Sequence, residues 1–257
     1  MKGVNSVIGV HEVHRRYPRV HALRGISFEV HAGQRFGIVG ESGSGKSTMV
    51  RLLAALDRPS AGEIFFQGKR IDDLPERRLD FLRAELQVVF QDPMGSLDPR
   101  MRVRDIVSEP LGRTDFARAE ELLAAVGLPP EAGERYPHQF SGGQRQRISI
   151  ARALAPRPSV LVADEPVSAL DVSVRKQILD LLAELVERFE LTLVFVSHDL
   201  AVVRRICDTV AVMRRGELVE LGPVEKVYRE PEHPYTRELI AAAPNLRAEI
   251  ARLKGRT

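Results

Sequence analysis

The chain has 257 residues, 44 % of them hydrophobic and 28 % charged, with a formal net charge of +3. This composition is ordinary for a soluble protein that buries a hydrophobic core. The single cysteine, Cys207, excludes an intrachain disulfide and a cysteine-built metal site. The longest apolar stretches are strand-sized, far below the roughly 18 residues that a membrane-spanning helix needs, and the N-terminus lacks the apolar core of a secretory signal. We therefore expect a cytoplasmic protein that associates with a membrane only through a partner.

The first part of the chain has the patterns of strands around one glycine-rich turn and one helix. Residues 26–30 alternate between apolar and polar, and residues 36–39 form a short apolar run that is typical of a strand buried on both faces. The turn that follows leads into a helix predicted from Lys46 to about Leu56. The segments predicted as strands are 4–13, 26–30, 36–39, 62–67 and 86–90.

From residue 92 to about residue 155 the chain shows helical spacing, and an alternation of strands and helices then resumes. Helices are predicted over 103–111, 116–126 and 142–154, which we interpret as a helical subdomain inserted into an α/β core. The order predicted after it is strand 160–163, helix 174–188, strand 192–196, helix 200–206 and strand 209–213. This alternation indicates a mostly parallel sheet covered on both faces. The tail, 224–257, is predicted to be helical and polar.

Residues 40–48 match the pattern G-x-x-x-x-G-K-[ST] between a predicted buried strand and a helix, which is the context that a phosphate-binding loop (P-loop) requires. Glycines let such a loop turn its N–H groups inward onto a phosphate, and the helix adds the positive end of its dipole. Lys46 is expected to reach the β- and γ-phosphates, and the Ser47 hydroxyl to bind Mg²⁺. The residues expected to bind ATP here are Gly40, Glu41, Ser42, Gly43, Ser44, Gly45, Lys46, Ser47 and Thr48. The loop alone would not separate a kinase, a GTPase or a transporter.

Two acidic residues, Asp164 and Glu165, follow directly on the apolar run 160–163. A strand of a parallel sheet delivers its last residues to the crevice where ligands bind. Asp164 is therefore expected near Mg²⁺, and Glu165 is expected to polarise the attacking water as a general base. The alternative is an acidic pair at the start of a helix, a place that Asp and Glu favour. The P-loop upstream favours the catalytic interpretation.

A second glycine-containing motif opens the predicted helix 142–154 and consists of Phe140, Ser141, Gly142, Gly143 and Gln144. Its N–H groups at the positive end of a helix make a second phosphate site on the same chain. The alternative is a simple N-cap followed by flexible glycines. Because the motif belongs to the helical insertion, one chain cannot easily wrap both sites around one nucleotide. We expect a partner chain to supply it.

With these motifs in this order, the chain resembles the nucleotide-binding domain of ABC transporters, whose signature motif usually has leucine where Phe140 stands. The resemblance implies roles for four more residues. Gln91 matches a glutamine that contacts Mg²⁺, and Asp171 matches the D-loop, which crosses to the partner subunit. His198 matches a histidine that bonds the γ-phosphate, and Tyr17 is placed like the aromatic residue that stacks on adenine. Taken singly, Gln91 and His198 would be interpreted as solvated loop residues, and Tyr17 as part of the core.

The resemblance also implies the fold: α/β, with a RecA-like P-loop NTPase core, a helical subdomain inserted at about 92–155 and an N-terminal antiparallel β portion. The ATP-binding domain is expected to cover residues 1–245. Two such subunits are expected to close head-to-tail around two MgATP. The signature residues of one subunit, 141–144, would then face the P-loop of the other.

Three segments narrow the resemblance to the oligopeptide/dipeptide importer subfamily: 90–100, 165–173 and, in the tail 224–257, the run His233-Pro234-Tyr235-Thr236-Arg237. The resemblance implies an ATPase subunit, with ATP and Mg²⁺ as cofactors, that energises uptake of di- or oligopeptides or a related solute. The implied partners are a second ATP-binding subunit, identical or sibling, two transmembrane permease subunits and an extracytoplasmic solute-binding protein. The implied location is the cytoplasmic face of the cell membrane.

Two alternatives stay open at this point. One is an importer of the same subfamily that moves nickel or another solute. The other is a soluble ABC ATPase that acts on ribosomes or DNA, although such relatives usually carry two nucleotide domains or long coiled coils, and neither is expected from this sequence. Paired arginines at 15–16, 204–205 and 214–215 are scattered and lack interleaved aromatic residues, so we expect no nucleic-acid partner.

Overall fold

A computed structural model of the protein describes residues 6–242. The strands of this part are β1 (Ser6–Tyr17), β2 (Val20–His31), β3 (Arg35–Val39), β4 (Ala61–Phe66), β5 (Lys69–Arg70), β6 (Leu86–Val89), β7 (Val160–Asp164), β8 (Thr192–Ser197), β9 (Thr209–Arg214) and β10 (Glu217–Pro223). The α-helices are α1 (Lys46–Leu53), α2 (Asp80–Glu85), α3 (Pro93–Ser96), α4 (Val103–Ser108), α5 (Phe116–Ala125), α6 (Gly142–Leu154), α7 (Val172–Arg188), α8 (Leu200–Ile206), α9 (Val224–Arg229) and α10 (Pro234–Ala242). Strands and helices alternate through the core, which confirms the predicted α/β class.

The larger sheet of the described part has six strands in the order β10-β9-β3-β8-β7-β6. Strands β9, β3, β8, β7 and β6 pair in parallel, whereas β10 pairs antiparallel with β9. Every residue of β7 and β8 is buried, as expected for a parallel sheet whose two faces are both covered. The carboxyl ends of β3, β8 and β7 therefore lie side by side at one edge of the sheet, where ligand sites form in folds of this kind.

The smaller sheet is antiparallel in the order β2-β1-β4-β5, and it is the predicted N-terminal β portion. Strand β1 continues beyond its predicted end at residue 13 by way of a bulge, at which Glu12 adopts a left-handed φ of 48°. One hydrophobic core lies between this sheet, α1 and the larger sheet. Its members include Ile8, Ile26, Phe36, Ile38, Met49, Val162 and Val194.

Between β6 and β7 the chain forms α3 to α6 and short 3₁₀ turns, in agreement with the predicted helical spacing. A second core joins the apolar faces of these helices to the larger sheet and includes Ile106, Leu122, Leu123, Ile148, Leu161, Leu182 and Phe195. Two predicted helices are shorter than expected. The one predicted over 103–111 ends at Ser108 and continues as the 3₁₀ turn Glu109–Leu111, since Pro110 has no N–H for an α-helical hydrogen bond. The one predicted to about Leu56 ends at Leu53, because Ala55 takes a left-handed φ of 51°.

The chain after β9 returns to the core through β10, α9 and α10. Helices α9 and α10 agree with the predicted helical tail, and residues 243–257 lie outside the described part. Strand β10, the short strand β5 and helix α2 are not among the predicted elements. Within residues 6–242, no helix combines the length and the apolar character that crossing a membrane requires.

Candidate functional site

A cleft of ≈ 1380 Å³ lies at the carboxyl edge of the larger sheet, where β3, β7 and β8 end. The predicted site residues that line it are Tyr17, Glu41, Ser42, Gly43, Gly45, Lys46, Ser47, Thr48, Gln91, Glu165 and His198. The loop after β3, the residues after β7 and β8, and the end of β1 thus converge on one space. Gly40 and Ser44 belong to the same loop but face the protein interior. The structure therefore brings together most of what the sequence predicted for nucleotide binding.

The loop of residues 40–48 leads from β3 into α1, which begins at Lys46. Its path depends on glycine at Gly45, which has a left-handed φ of 108°. A Cβ at Gly45 would lie only 2.7 Å from the carbonyl oxygen of Ala22 on β2, closer than real Cβ atoms approach. The loop is thus held against the neighbouring strand. Two of its N–H groups are bonded within the protein, that of Ser44 to the carbonyl oxygen of Glu41 and that of Glu41 to the Tyr235 hydroxyl.

Lys46 lies inside the curl of this loop and is only 4 % exposed. Its Nζ donates hydrogen bonds to the carbonyl oxygens of Gly40 at 2.6 Å and Glu41 at 2.9 Å, and lies 3.7 Å from Oε1 of Glu165. Burial lowers the pKa of Lys46, while the carboxylates of Glu165 and Asp164 counteract that shift. The loop therefore surrounds the buried Lys46 ammonium group. A bound anion would offset the free-energy cost of removing this charge from water.

Glu165 and His198 follow the neighbouring parallel strands β7 and β8, which places them at the same edge of the sheet. Oε2 of Glu165 lies 3.1 Å from Nδ1 of His198. Glu165 has a left-handed φ of 45°, rare for a side-chain-bearing residue, and its N–H donates to the carbonyl oxygen of Val196 at 3.0 Å. The carboxylate thus lies beside both Lys46 and the imidazole.

Asp164, the last residue of β7, is buried, and its Oδ1 has no hydrogen-bond partner in the described part of the chain. Burial and the neighbouring Glu165 raise the pKa of Asp164 to about 6, although Lys46 acts in the opposite direction. Asp164 and Gln91 both line a neighbouring cavity of ≈ 590 Å³, and Gln91 also lines the main cleft. An unpaired buried carboxylate oxygen marks a place for a cation.

The donor set around Asp164 fits Mg²⁺ better than a metal that needs an all-protein cage. Residues 6–242 contain no group of three or more His, Cys, Asp or Glu side chains placed to hold a metal ion by themselves. Mg²⁺ typically takes one or two carboxylates and completes its octahedron with water and phosphate oxygens. The Ser47 hydroxyl and the Gln91 amide, both on the cleft, are neutral oxygen donors of the kind such a site adds.

Tyr17, the last residue of β1, lines the cleft and is 37 % exposed, so it is not a core residue. Its hydroxyl donates to Oδ2 of Asp57 at 2.7 Å. The guanidinium carbon of Arg15 lies 4.5 Å from the ring centroid. These contacts fix the plane of the ring at the wall of the cleft.

The signature motif lies elsewhere in the chain, at the start of α6. Ser141 caps this helix by accepting from the N–H of Gln144 at 3.3 Å, and the Gln144 side chain accepts from the N–H of Ser141 at 3.0 Å. A Cβ on Gly143 would lie 2.4 Å from Cγ1 of Val174, so α6 packs directly on α7 at this point. Residues 141–144, all within the described part, are not among those that line the main cleft.

Asp171, the predicted D-loop residue, caps α7 within this chain. Its Oδ1 accepts from the N–H of Val174 at 2.9 Å and from the Ser173 hydroxyl at 2.7 Å. The hydrogen bond from Val174 contributes most to the lowered pKa of Asp171. Asp171 is not among the described residues that line the main cleft.

Several residues that the sequence did not single out also line the cleft. Arg175, in the first turn of α7, reaches it with a buried Nε that has no partner in the described part. Glu238, Leu239 and Ala242 of α10 form a further part of the wall. No local motif identifies Arg175, whereas α10 begins within the tail run His233–Arg237, which was noted for its resemblance alone.

Comparison with known proteins agrees with this geometry. Residues 23–168 match the family "ABC transporter", and residues 219–257 match "Oligopeptide/dipeptide transporter, C-terminal region". The glutathione import ATP-binding proteins GsiA of Shigella dysenteriae serotype 1 and of Escherichia coli K12 are each 53 % identical to this chain over 232 residues. That alignment covers 88 % of this chain but 37 % of each GsiA, so the chain spans well under half of the length of these relatives.

Two solved structures share the fold over most of their length. The ATP-binding cassette MJ0796, in a dimeric post-hydrolysis state bound to ADP and Pi, superimposes with a TM-score of 0.77 at 31 % identity, covering 84 % of this chain and 98 % of that one. CbiO1 from Clostridium perfringens, part of the ABC transporter complex cbiONQ, has a TM-score of 0.80 at 29 % identity, covering 96 % and 99 %. The chain therefore belongs to the ABC transporter family.

Proposed function

We propose that this chain is the ATP-binding and ATP-hydrolysing subunit of an ABC importer that takes up di- or oligopeptides or a related solute. The observation that carries the proposal is the convergence of Lys46, Glu165 and His198 in one cleft, with 3.7 Å from Lys46 Nζ to Glu165 Oε1 and 3.1 Å from Glu165 Oε2 to His198 Nδ1. The Glu165 carboxylate lies between a cation that can bind phosphate and an imidazole, and positioned charges of this kind suit the hydrolysis of a phosphoanhydride.

In the proposed binding mode, the N–H groups of residues 40–48 that are not already bonded within the protein face the β-phosphate, as in P-loops in general. Lys46 gives up its contacts with the carbonyl oxygens of Gly40 and Glu41 and turns its charge toward the β- and γ-phosphates. Tyr17 offers one face of its ring to the adenine. Asp164, Ser47 and Gln91 would hold Mg²⁺, which would neutralise part of the phosphate charge.

In the proposed reaction, Glu165 orients a water molecule and takes a proton from it as the water oxygen attacks the γ-phosphorus. The bond from the γ-phosphorus to the β–γ bridging oxygen breaks, and ADP and phosphate leave. His198 contacts a γ-phosphate oxygen and, through its 3.1 Å contact with Glu165, keeps that carboxylate on the side of the attacking water. Nearly all of the catalysis then comes from positioning and charge, as in other phosphoryl transfers.

A second subunit completes the site in this proposal. The signature residues 141–144 and Asp171 do not line the cleft of their own chain, so the positive N-terminal end of α6 is available to a nucleotide held by a partner. We propose an ATP-binding domain over 1–245, a helical subdomain at about 92–155 and a tail over 224–257. The further proposed partners are two transmembrane permease subunits and, acting through them, an extracytoplasmic solute-binding protein, with the chain at the cytoplasmic face of the membrane.

The peptide-type cargo is supported by the match of the tail to the oligopeptide/dipeptide C-terminal region and by the GsiA relatives, since glutathione is itself a peptide. The decisive experiment is to tag the chain in its native cells, extract membranes in mild detergent and identify the proteins that copurify. We expect two membrane subunits, an ATP-binding subunit and a solute-binding protein, whose bound ligand names the cargo. Recovery of ribosomal or DNA-associated proteins, without membrane proteins, would refute the transport role.

Nucleotide binding is tested separately with Lys46→Ala. This change removes the buried cation that the phosphates would neutralise, so we expect affinity for MgATP to fall by at least tenfold. Calorimetric titration of the parent and of the variant measures it, and unchanged affinity would contradict the assignment of the P-loop.

A further inference from the structure

The tail of the chain is attached to the nucleotide cleft through one buried aromatic residue. Tyr235, near the start of α10, is 1 % exposed and is among the largest fully buried side chains of the described part. The guanidinium carbon of Arg214, at the end of β9, lies 4.8 Å from its ring centroid. A ring buried so completely, with a cation over it, has little freedom to move.

The hydroxyl of Tyr235 is bonded to the P-loop itself. It accepts a hydrogen bond from the backbone N–H of Glu41 at 2.9 Å. Burial raises the pKa of Tyr235, which keeps the phenol protonated at neutral pH. The bond therefore joins residue 235 to residue 41 across 194 positions of sequence.

The residue held by Tyr235 is also held by the P-loop lysine. The carbonyl oxygen of Glu41 accepts from Lys46 Nζ at 2.9 Å and from the N–H of Ser44 at 3.1 Å. Both polar groups of the Glu41 backbone are thus engaged, one by the tail and the other by the inside of the loop. A shift of Glu41 would move the carbonyl that orients Lys46.

Tyr235 is in turn positioned by the motif that contains it. The N–H of Tyr235 donates to Nδ1 of His233 at 3.1 Å, and the N–H of His233 donates to the Glu220 carboxylate on β10 at 3.1 Å. The Arg237 guanidinium ties back to the carbonyl oxygens of Pro231 at 3.1 Å and Glu232 at 3.0 Å. The run His233–Arg237 therefore builds a rigid start for α10, and the tyrosine hydroxyl is its contact with the loop.

We infer that Tyr235 is a positioning residue for nucleotide binding: it fixes the backbone of Glu41 and so presets the P-loop for the phosphates of a nucleotide. This inference deepens the proposed function and rests on it. Ordering the loop on ligand binding costs less free energy when the loop already has its bound conformation. The same helix places Glu238, Leu239 and Ala242 on the wall of the cleft, so the tail is a structural part of the nucleotide site.

The test is Tyr235→Phe, which keeps the buried ring and removes only the hydroxyl. The matched control is Tyr228→Phe, on α9 of the same tail, where the ring packs 4.1 Å from the Arg204 guanidinium carbon and away from the cleft. Calorimetric titration with MgADP at a temperature where all proteins are folded should show a dissociation constant raised about three- to tenfold by Tyr235→Phe. Tyr228→Phe should leave it within about twofold.

Hydrogen exchange supplies a readout that a merely structural role of the tail would not change. Without nucleotide, peptides covering residues 40–45 should exchange faster in Tyr235→Phe than in the parent or in Tyr228→Phe. With MgADP, protection should extend to residues 234–242 in the parent and not in Tyr235→Phe. A variant with a lower melting temperature but parental MgADP affinity and parental exchange at 40–45 would overturn the inference. Failure of the parent to bind MgADP would count against the proposed function, while the nucleotide-free exchange would still decide whether Tyr235 holds the loop.

Discussion

Asp164→Asn is the substitution whose effect on stability follows most directly from the structure. The change removes a negative charge and keeps the shape of the side chain. Asp164 is 9 % exposed, its Oδ1 has no hydrogen-bond partner in the described residues, and burial raises its pKa to about 6. In the absence of Mg²⁺, the ionised form of this carboxyl is therefore less stable in the folded chain than in the unfolded chain.

The sign of the pH dependence follows from proton binding. In the unfolded chain an aspartate has a pKa of about 3.9, so between about pH 4 and pH 6 the folded chain binds more protons than the unfolded one. The free energy of unfolding falls as the pH rises through this window and stays lower above it. A shift of about 2 pKa units corresponds to about 3 kcal/mol. Asparagine has no such penalty, so Asp164→Asn should stabilise the nucleotide-free chain by roughly 1–3 kcal/mol at pH 7.5, with a smaller gain near pH 5.

Urea unfolding in EDTA, at several values between about pH 5 and pH 8, measures this difference. Asp98→Asn is the matched control, because the hydrogen bonds from Arg100 lower the pKa of Asp98 and its charge is favourable in the folded chain. The control should not gain stability at pH 7.5. A loss of stability in Asp164→Asn at pH 7.5, or a gain that does not change with pH, would show that burial does not destabilise this carboxylate.

Three further predictions test the site and its packing. Glu165→Gln should leave the affinity for MgATP within about threefold and lower the hydrolysis rate by about 10²–10⁴-fold, as expected for loss of a general base. Nucleotide titration measures the affinity and phosphate release measures the rate. A parental hydrolysis rate would refute the role of Glu165 as general base. Gly143→Ala should destabilise the chain by about 1–3 kcal/mol through overpacking against Val174, as measured by urea unfolding. The double variant Gly143→Ala, Val174→Ala should regain part of the lost stability. If it regains none, this contact is not the cause. Cys207 is buried, and burial raises its pKa, so a thiol reagent at pH 8 should modify it only after unfolding; rapid labelling of the folded chain would contradict its burial.

The strands that build the site were predictable because their environment leaves a clear pattern in the sequence. Residues 160–163 and 192–196 are almost entirely apolar, and the structure buries every residue of β7 and β8. The elements that were missed depend on their neighbours. Strand β10 contains only exposed and half-buried residues and forms by pairing with β9 at the edge of the sheet. The bulge that carries β1 on to Tyr17 likewise depends on its pairing with β2.

The same distinction applies to the site. Lys46 was predicted from the P-loop pattern, and Glu165 from its place directly after a buried strand of the parallel sheet. His198 also follows such a strand, but its role was implied only by the family resemblance. The contributions of Arg175 and Tyr235 were not predictable. Each reaches the cleft or its loop from a helix whose placement is set by tertiary packing, and no periodicity in the sequence encodes the bond from Tyr235 to Glu41. The family resemblance identified the run that contains Tyr235 but assigned no role to any residue in it.

The short path from Glu165 to the signature motif gives a physical reason for the two sites of the proposed dimer to act together. The Ser168 hydroxyl donates to the carbonyl oxygen of Glu165 at 3.1 Å, and Asp171 accepts from the N–H of Val174 at 2.9 Å. Val174 then packs against Gly143, where not even a Cβ would fit. A displacement of Val174 at the start of α7 would therefore also displace the start of α6, because this contact leaves no free space. In the proposed head-to-tail dimer the signature motif would face the nucleotide of the partner, so the position of α7 in one subunit would affect the site that the motif completes.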